Sequence, residues 1–232
     1  MAAPPTIAPT ADVRAMFDRI ASEYDRFNSW ASFGLHKGWR DIMVRQIPAG
    51  ASVLDIATGT GDVAFLARSQ GHEVVGLDFS ESMIHRARLK DIRSAITWMT
   101  GSAEALPFPE RRFDCITSAF ALRNMRGCLE AVFRETFRVL TSGGLALHLD
   151  FGRPRFPVMR WGHRLHTRVS VPLIGRLVYR GRWPQGYLEN TIRDFFEPSQ
   201  VEDRLEAAGF INVSHAPLLG GVVQLYRGTK AC

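Results

Sequence analysis

Short apolar runs alternate with stretches of helical spacing through the first two thirds of the chain. The apolar runs have the length of single strands: Ser52–Ala57, Glu73–Leu77, Ile96–Met99, Phe113–Thr117 and Leu145–Phe151. Between them lie three helical stretches: one from Asp62, one that Ser80 caps and that runs to about Lys90, and one from about Leu129 to Leu140. Strands and helices in this alternation form right-handed βαβ units, so the pattern predicts a parallel sheet.

The C-terminal part predicts one helix, Ser199–Ala208, and two strands, Ile211–Ala216 and Val222–Gly228, around a Leu-Leu-Gly-Gly turn. Two strands joined by so short a turn pair antiparallel. The complete pattern predicts an α/β fold, with one doubly wound, seven-stranded, Rossmann-like sheet that has an antiparallel last strand and thus an antiparallel edge. Residues 13–24 have the spacing of an amphipathic entry helix.

Composition fits a single domain at residues 13–232, preceded by a disordered lead-in at residues 1–12. The chain has 46% apolar and 22% charged residues, and it lacks an apolar run of the ~20 residues that a membrane-spanning helix needs. Its three cysteines have no paired spacing, and its first residues do not form a signal or transit pattern. The sequence therefore predicts a cytoplasmic protein without a disulfide framework.

The positive charge is concentrated in one segment. The whole chain carries +6, whereas residues 151–183 contain eight arginines and neither an acid nor a lysine, which leaves −2 for the rest. Residues 151–198 fall between the fifth strand and the next helix, and we interpret them as an inserted helical lid. A charge so localised points to a partner surface.

The lid segment predicts a short basic amphipathic helix that ends before Pro172. Its apolar face holds Trp161, Leu165 and Val169, beside a stripe of Arg160, Arg164 and Arg168. An anionic membrane surface fits this pattern, and docking there would place the protein at the inner face of the cytoplasmic membrane. Nucleic acid is the competing partner, but no helix-turn-helix, RNA-binding or zinc pattern accompanies the segment, so we expect none; a solvated lid face stays open.

A glycine turn follows the first strand and predicts a cofactor site. Gly59 and Gly61 satisfy a relaxed dinucleotide fingerprint, which a nicotinamide enzyme would also carry. Asp78 ends the second strand, where a carboxylate accepts hydrogen bonds from ribose hydroxyls. Asp55 precedes the turn; a carboxylate there repels phosphate but suits a cationic ligand with an amino group and a sulfonium, such as S-adenosylmethionine. The alternatives are turn capping by Asp55 and helix capping by Asp78.

The turn belongs to a series of motifs that resembles the class I S-adenosylmethionine-dependent methyltransferases: Asp55–Gly61, Asp78, Ala103–Phe108 and Phe113-Asp114. A narrower resemblance, to the quinone-pathway C-methyltransferases, covers residues 13–230 and rests on further positions: Tyr24-Asp25, Asn28, Ser32–Gly34, His36, Trp39, Phe120–Asn124, Arg138–Leu140 with Gly143-Gly144, Gly220–Val223 and Arg227-Gly228. That family methylates demethylmenaquinol and the benzoquinol intermediate of ubiquinone. The resemblance implies the same fold, S-adenosylmethionine as cofactor and a prenylated quinol as substrate, with demethylmenaquinol favoured.

The resemblance also implies a set of site residues. The cofactor would be bound by Asp55, Thr58, Gly59, Thr60, Gly61, Asp78, Ser102 and Ala103. The catalytic set would be Arg123, Asn124 and Tyr24, which orient a water or the quinol oxygen. Because the guanidinium of an arginine keeps its proton, Arg123 would stabilise a phenolate and would not act as a base. This chain has Asp150-Phe-Gly152 where the family usually has Glu-x-Ser, and Ala119 where many members have serine.

Several alternatives stay open at this point. His36 is a second candidate proton acceptor, or a satisfied histidine under the entry helix. His163 and His166 have no third ligand at metal-binding spacing, so we expect no metal site. The chain as a whole is open to three other interpretations: a nicotinamide oxidoreductase, a non-enzymatic membrane- or RNA-binding module, and a methyltransferase of soluble aromatic metabolites. A homodimer is also left open.

Overall fold

The structure is a computed structural model that describes residues 10–180 and 186–232. Seven strands form one sheet: β1 (Ser52–Ile56), β2 (Glu73–Asp78), β3 (Thr97–Thr100), β4 (Phe113–Ala119), β5 (Leu140–Phe151), β6 (Phe210–Leu218) and β7 (Val223–Lys230). Their order across the sheet is β3-β2-β1-β4-β5-β7-β6, and β1 to β5 pair in parallel. The predicted doubly wound α/β sheet is confirmed, with strand bounds within a few residues except at β5.

The predicted antiparallel last strand is confirmed, although it is not the outermost strand of the sheet. β7 pairs antiparallel with both β5 and β6, which leaves β6 as the outermost strand. The burial of the two strands explains this order. Val223, Leu225 and Tyr226 of β7 are buried, whereas most residues of β6 are partly or fully exposed.

Ten helices are described beside the sheet: α1 (Thr10–Ile20), α2 (Tyr24–Ala31), α3 (Leu35–Val44), α4 (Asp62–Ser69), α5 (Glu81–Lys90), α6 (Leu129–Val139), α7 (Pro157–Leu165), α8 (Val171–Val178), α9 (Tyr187–Asp194) and α10 (Pro198–Ala207). Two apolar cores result, because the side chains of a strand alternate between the two faces of a sheet. One core includes residues of α3, α4 and α5, and the other includes residues of α6 and α10. Ser80 caps α5 as predicted, since its Oγ accepts the Met83 N–H at 3.1 Å.

The N-terminal segment differs from the single entry helix that the spacing predicts. α1 ends at Ile20, a 3₁₀ turn covers Ala21–Glu23, and Tyr24 begins α2. α1 starts at Thr10, inside the predicted lead-in, and residues 1–9 lie outside the described residues. Buried residues of α2 and α8 pack together with Ile20, Ala21 and Met83. The N-terminal helices and the lid therefore form one packed layer, which we call the roof.

The basic helix of the lid does not end before Pro172, so that prediction is wrong. α7 continues through a wide π turn at His166–Ser170 into α8, and the Val171 N–H donates to the carbonyl of His166, five residues earlier. The wide turn stands directly before Pro172, which has no N–H for an α-helical hydrogen bond. In the described parts of the chain, no helix is long and apolar enough to cross a membrane. Arg182 and Trp183, the end of the arginine-rich segment, fall outside these parts.

Candidate active site

The glycine turn after β1 has two different kinds of glycine. Gly59 has a φ of +58° and lines the cavities described below. Gly61 has a φ of +90°, and a Cβ there would stand 2.5 Å from Cη2 of Trp98. Gly61 is therefore required by its backbone conformation and by the close approach of Trp98. It lines none of the cavities below, so its predicted contact with a cofactor stays a prediction.

A cavity of about 390 Å³, the loop cavity, lies at the carboxyl ends of β1 and β2. Its apolar walls include Leu77, Phe79 and Met83, and Asp78 lines it. One oxygen of Asp78 accepts the N–H of Gly59 at 2.8 Å and the other accepts the N–H of Ser80 at 2.9 Å. Burial raises the pKa of Asp78 to about 6. A carboxylate has about four acceptor positions, so Asp78 keeps capacity for ligand hydroxyls.

A small polar pocket adjoins the loop cavity, and its residues include Arg40, Asp55, Thr58, Thr60 and Tyr24. Asp55 accepts the hydroxyl of Thr58 at 2.5 Å and that of Thr117 at 2.8 Å. These donors are side chains, so the structure does not show the backbone capping that was the alternative for Asp55. Burial raises the pKa of Asp55 to about 7, against the lowering effect of the two hydroxyls and of Arg40.

A second large cavity, of about 330 Å³, lies between the N-terminal helices and the lid. We call it the apolar cavity, because most of its lining is aromatic or aliphatic, such as Ile20, Phe27, Trp39, Phe151 and Val171. The polar side chains in its lining include Tyr24, Asn28, Arg40 and Arg123. The lining suits a large apolar ligand that carries a few oxygen atoms.

Tyr24 lines all three cavities, and the loop and apolar cavities also share Phe17 and Phe120. Burial raises the pKa of the Tyr24 phenol, while the nearby guanidinium groups of Arg123 and Arg40 lower it in part. Tyr24 is therefore a neutral hydroxyl that can donate a hydrogen bond. Its place at the junction brings a group in the loop cavity close to one in the apolar cavity.

Arg123 lies in the 3₁₀ turn after β4 and is buried. Its Nη1 donates to Oδ1 of Asp150 at 3.0 Å and to the carbonyl of Phe120, and its backbone N–H donates to the other oxygen of Asp150 at 3.0 Å. Its guanidinium also lies over the ring of Phe151, while Nε has no acceptor in the described parts of the chain. The structure thus holds a fixed cation in the wall of the apolar cavity.

The remaining predicted residues divide between the cavities. Ser102, Ala103 and Asn124 line the loop cavity, and Thr58 and Thr60 line the polar pocket. Asn124 accepts the hydroxyl of Tyr187 at 2.9 Å and does not line the apolar cavity. The predicted set of Arg123, Asn124 and Tyr24 is therefore split across the junction, with only Tyr24 on both sides.

Sequence reasoning missed three residues of the site: Arg40, Asp150 and Tyr187. Asp150 was noted only as a departure from the family pattern, yet it is the partner of Arg123. The sequence pattern does not indicate that the charged side chains of Asp150 in β5 and Arg40 in α3 are buried. Tyr187 lies on α9 in the lid, far from every motif in the sequence, and reaches Asn124 only through the fold.

The histidines have modest roles. Burial lowers the pKa of His36 to about 4, and its Nδ1 lies 2.6 Å from the hydroxyl of Ser32. A base so weak is a poor acceptor for a phenolic proton, which favours the interpretation of a satisfied histidine. His163 and His166 both line the apolar cavity, and Nε2 of His166 lies 2.8 Å from the carbonyl of Ala31. Among residues 10–180 and 186–232, no three His, Cys, Asp or Glu side chains stand close enough to hold a metal ion.

The sequence matches the model of the ubiE/COQ5 methyltransferase family over residues 6–230. It is 37% identical to the ubiquinone/menaquinone biosynthesis C-methyltransferase UbiE of Edwardsiella ictaluri over 228 residues, which are 94% of this chain and 90% of that protein. The UbiE protein of Cereibacter sphaeroides is 34% identical over 226 residues, with the same coverage of both chains.

Solved structures support the fold. A methyltransferase from Thermotoga maritima, described as dependent on S-adenosylmethionine, superposes with a TM-score of 0.67 at 19% identity and covers 93% of this chain and 98% of its own. A phosphoethanolamine N-methyltransferase from Haemonchus contortus in complex with S-adenosyl-L-methionine gives a TM-score of 0.61 at 15% identity, over 84% of this chain and 53% of that one. At these identities the likeness concerns the fold alone.

Proposed function

Since the chain belongs to the ubiE/COQ5 methyltransferase family, as an S-adenosylmethionine-dependent C-methyltransferase of quinone biosynthesis, we propose that its substrate is demethylmenaquinol. The observation that carries this proposal is the junction of two cavities at Tyr24. One cavity is lined by the carboxylate Asp78, and the other is a large apolar cavity with the buried cation Arg123 in its wall.

The residues of the loop cavity and the polar pocket fit the cofactor. Asp78 has acceptor capacity for the two ribose hydroxyls, and the apolar walls beside Ser102 and Ala103 suit an adenine ring. Asp55 offers a buried carboxylate for the amino group of the methionine moiety. These residues would bind the cofactor with its reactive end toward Tyr24.

The apolar cavity fits a prenylated ring. Its aromatic and aliphatic lining takes up apolar surface, which contributes about 25 cal/mol for each Å² removed from water. Arg123 and the hydroxyl of Tyr24 are donors in its lining, and the oxygen of a quinol would lie beside them. The lining thus orients the polar ring inward and the prenyl chain toward the lid.

The reaction needs electron density on the ring carbon. When a quinol hydroxyl loses its proton to solvent, the phenolate delocalises its charge onto the neighbouring carbon. S-adenosylmethionine supplies the methyl group, and its sulfur keeps the bonding pair as the new carbon–carbon bond forms. The ring then loses the proton from the methylated carbon to solvent and becomes aromatic again. Arg123 stabilises the phenolate electrostatically, and Tyr24 donates a hydrogen bond to it.

The experiment is methyl transfer from labelled S-adenosylmethionine to two reduced acceptors, a prenyl naphthoquinol without its ring methyl and a prenyl benzoquinol. We expect label on a ring carbon of the naphthoquinol. Label on the benzoquinol alone would overturn demethylmenaquinol as the substrate and favour the ubiquinone intermediate. Label on an unprenylated aromatic at equal rate would point to a soluble metabolite instead.

We further propose that the lid docks on an anionic membrane, at the inner face of the cytoplasmic membrane where a prenylated quinol resides. Trp161 is 69% exposed, and Leu165 and Val169 are nearly half exposed, so the predicted apolar face along α7 and the π turn is uncovered. Met159, Gly162 and His163 of the same helix line the apolar cavity. The exposed face and the substrate cavity therefore adjoin, which gives a prenyl chain a short path between them.

Arginines surround this exposed face. Arg155, Arg160 and Arg164 are exposed, whereas Arg153 and Arg168 pair with Glu197 and Glu189. Each basic residue near an anionic surface contributes about 1 kcal/mol, and the contribution falls with salt. The apolar side chains add area that salt does not screen.

Vesicle sedimentation tests the docking proposal. We expect the protein to bind vesicles that contain phosphatidylglycerol more tightly than vesicles of phosphatidylcholine alone, and Trp161→Ser and Arg160→Gln to weaken that binding. Ile92→Ser and Arg93→Gln are matched controls, because both residues are exposed outside the lid. Equal binding to both vesicle types, or equal loss in the control variants, would contradict the proposal.

A further inference from the structure

Arg40 is a buried cation that neither the mechanism above nor the sequence motifs use. It lies on α3, is 7% exposed, and its guanidinium is 5.1 Å from the centre of the Phe120 ring. Its Nη1 donates to the carbonyl of His36 at 3.5 Å, and its Nη2 is 3.6 Å from Asp62. Its Nε is buried without an acceptor in the described parts of the chain. This guanidinium is therefore removed from water and only weakly paired, which is costly unless a ligand completes its bonds.

The acid nearest to Arg40 does not neutralise it fully. Asp62 also lies 3.5 Å from Nζ of Lys90, which in turn pairs with Asp25 at 2.9 Å. Asp62 is thus shared between two cations, and its distance to Arg40 exceeds that of a close charge-assisted hydrogen bond. Capacity for a second anion remains at Arg40.

Arg40 and Asp55 line the same polar pocket, although their strongest contacts are with other groups. Asp55 accepts hydroxyls from Thr58 and Thr117, whereas Arg40 is held by α3 and Asp62. The lining of this pocket therefore includes both a buried carboxylate and a buried guanidinium. This arrangement is complementary to the zwitterionic head of an α-amino acid, which needs an acceptor for its ammonium and a cation for its carboxylate.

We propose that Arg40 binds the carboxylate of the methionine moiety of the cofactor, while Asp55 receives the amino group. Arg40 is a binding residue that anchors the end of the cofactor opposite the adenine. This assignment deepens the cofactor site and does not rest on the identity of the quinol. It implies that the protein discriminates against cofactor analogues that keep the adenosine, the sulfur and the amine but lack the carboxylate.

Calorimetric titration without any quinol tests the assignment. The ligands are S-adenosylhomocysteine and its decarboxylated analogue, which ends in an aminopropyl chain. We expect the wild type to prefer S-adenosylhomocysteine by about 10- to 100-fold, the range of a hydrogen-bonded charge pair. Arg40→Met should lose that preference by weakening S-adenosylhomocysteine alone, and Arg40→Lys should keep part of it. Arg45→Met, on an exposed residue that pairs with Asp41 just after the same helix, is the matched control.

Three results would overturn the assignment. The first is equal affinity of the wild type for both ligands, a result that needs no variant and so holds even if Arg40→Met does not fold. The second is an equal loss for both ligands in Arg40→Met with an unchanged melting temperature. The third is unchanged binding of both ligands together with a raised KM for the quinol, which would place Arg40 on the substrate instead. A wrong quinol in the proposed function would leave all these binding results as they are.

Discussion

The guanidinium of Arg123 is fixed before any substrate arrives. Asp150 binds both its Nη1 and its backbone N–H, and the carbonyl of Phe120 accepts a further bond. Asp150 has no exposed surface, so the ion pair is screened little by solvent. A cation that does not need to reorganise stabilises a developing phenolate more strongly than a mobile surface side chain does.

We expect Arg123→Gln to lower kcat by about 10²- to 10³-fold, the usual cost of one electrostatic donor at a reacting oxygen. The dissociation constant of S-adenosylhomocysteine should stay near that of the wild type, because Arg123 lines the apolar cavity and not the loop cavity. Steady-state kinetics measure kcat, and calorimetry measures the dissociation constant. Arg134→Gln, at an exposed position on α6, is the control, and unchanged turnover in Arg123→Gln would remove the phenolate role.

The buried acids of the cofactor site give a prediction for pH. Burial raises the pKa of Asp55 to about 7 and that of Asp78 to about 6, so both carboxyl groups take up protons as the pH falls from 8 to 5. The cationic cofactor and its hydroxyls bind the ionised forms, and binding therefore lowers both pKa values and releases protons. Affinity for S-adenosylmethionine should fall as the pH falls through this window.

Calorimetry in two buffers with different ionisation enthalpies measures the protons released at pH 6. The variant Asp78→Asn should bind more weakly at pH 8 and show a smaller change in affinity between pH 8 and pH 5. A wild-type affinity that is flat across the window would mean that neither carboxyl group is protonated in the free protein.

At the scale of elements, the turn between β1 and α4 sets the position of the cofactor site, and Gly61 is its most constrained residue. A side chain at position 61 would meet Trp98 and also occupy a left-handed backbone conformation. Gly50 shares the positive φ, at +70°, but nothing lies within 4 Å of a Cβ there; Gly38 is helical with open space around it. Substitutions at the three glycines therefore separate the cost of the left-handed backbone conformation from the cost of the contact with Trp98.

We expect stability to decrease in the order Gly38→Ala, wild type, Gly50→Ala, Gly61→Ala. The first change should stabilise by about 0.5–1 kcal/mol, because alanine favours an exposed helix. Gly50→Ala should cost about 1–2 kcal/mol for the left-handed conformation alone. Gly61→Ala adds about 1–3 kcal/mol of overpacking to that cost. Midpoints of urea denaturation measure the series, and equal midpoints for Gly50→Ala and Gly61→Ala would refute the contact with Trp98.

Local patterns predicted most elements, and the errors lie where tertiary structure decides. Alternating apolar runs located β1, β2 and β4 within two residues. The pattern could not place β7 inside the sheet, because position depends on which strand buries more apolar surface. A proline normally ends a helix, but the π turn before Pro172 lets the lid continue. Arg40 and Asp150 joined the site only through burial, which a linear sequence does not display.

At the scale of the whole molecule, the apolar cavity lies between two separate parts of the roof. Phe17, Ile20 and Phe27 come from the N-terminal helices, while Met159 and Val171 come from the lid. The apolar cavity is therefore lined by two segments that lie more than 130 residues apart in sequence. Both segments adjoin exposed apolar side chains, such as Phe33 and Trp161. This arrangement suits a substrate whose head is enclosed and whose tail leaves toward a membrane.

Substrate length provides a prediction at this scale. Each buried methylene contributes about 0.8 kcal/mol, so the first isoprene unit on a water-soluble naphthoquinol should lower KM by at least about tenfold. Further units should have smaller effects once the chain passes the lid. Steady-state kinetics with zero, one and two isoprene units measure this, and a KM independent of the chain would exclude the apolar cavity as the prenyl site.

The most direct test of the phenolate chemistry is the ionisation of a bound naphthol. A prenylated 4-methoxy-1-naphthol cannot oxidise to a quinone, and its absorbance reports the loss of the phenolic proton. In complex with the protein and S-adenosylhomocysteine, we predict that it ionises at least about one pH unit below its value in free solution, equivalent to about 1.4 kcal/mol of stabilisation. Arg123→Gln should return the bound pKa toward the free value. A bound naphthol that ionises at or above the pH of the free compound in the wild type would contradict the role of Arg123 and Tyr24.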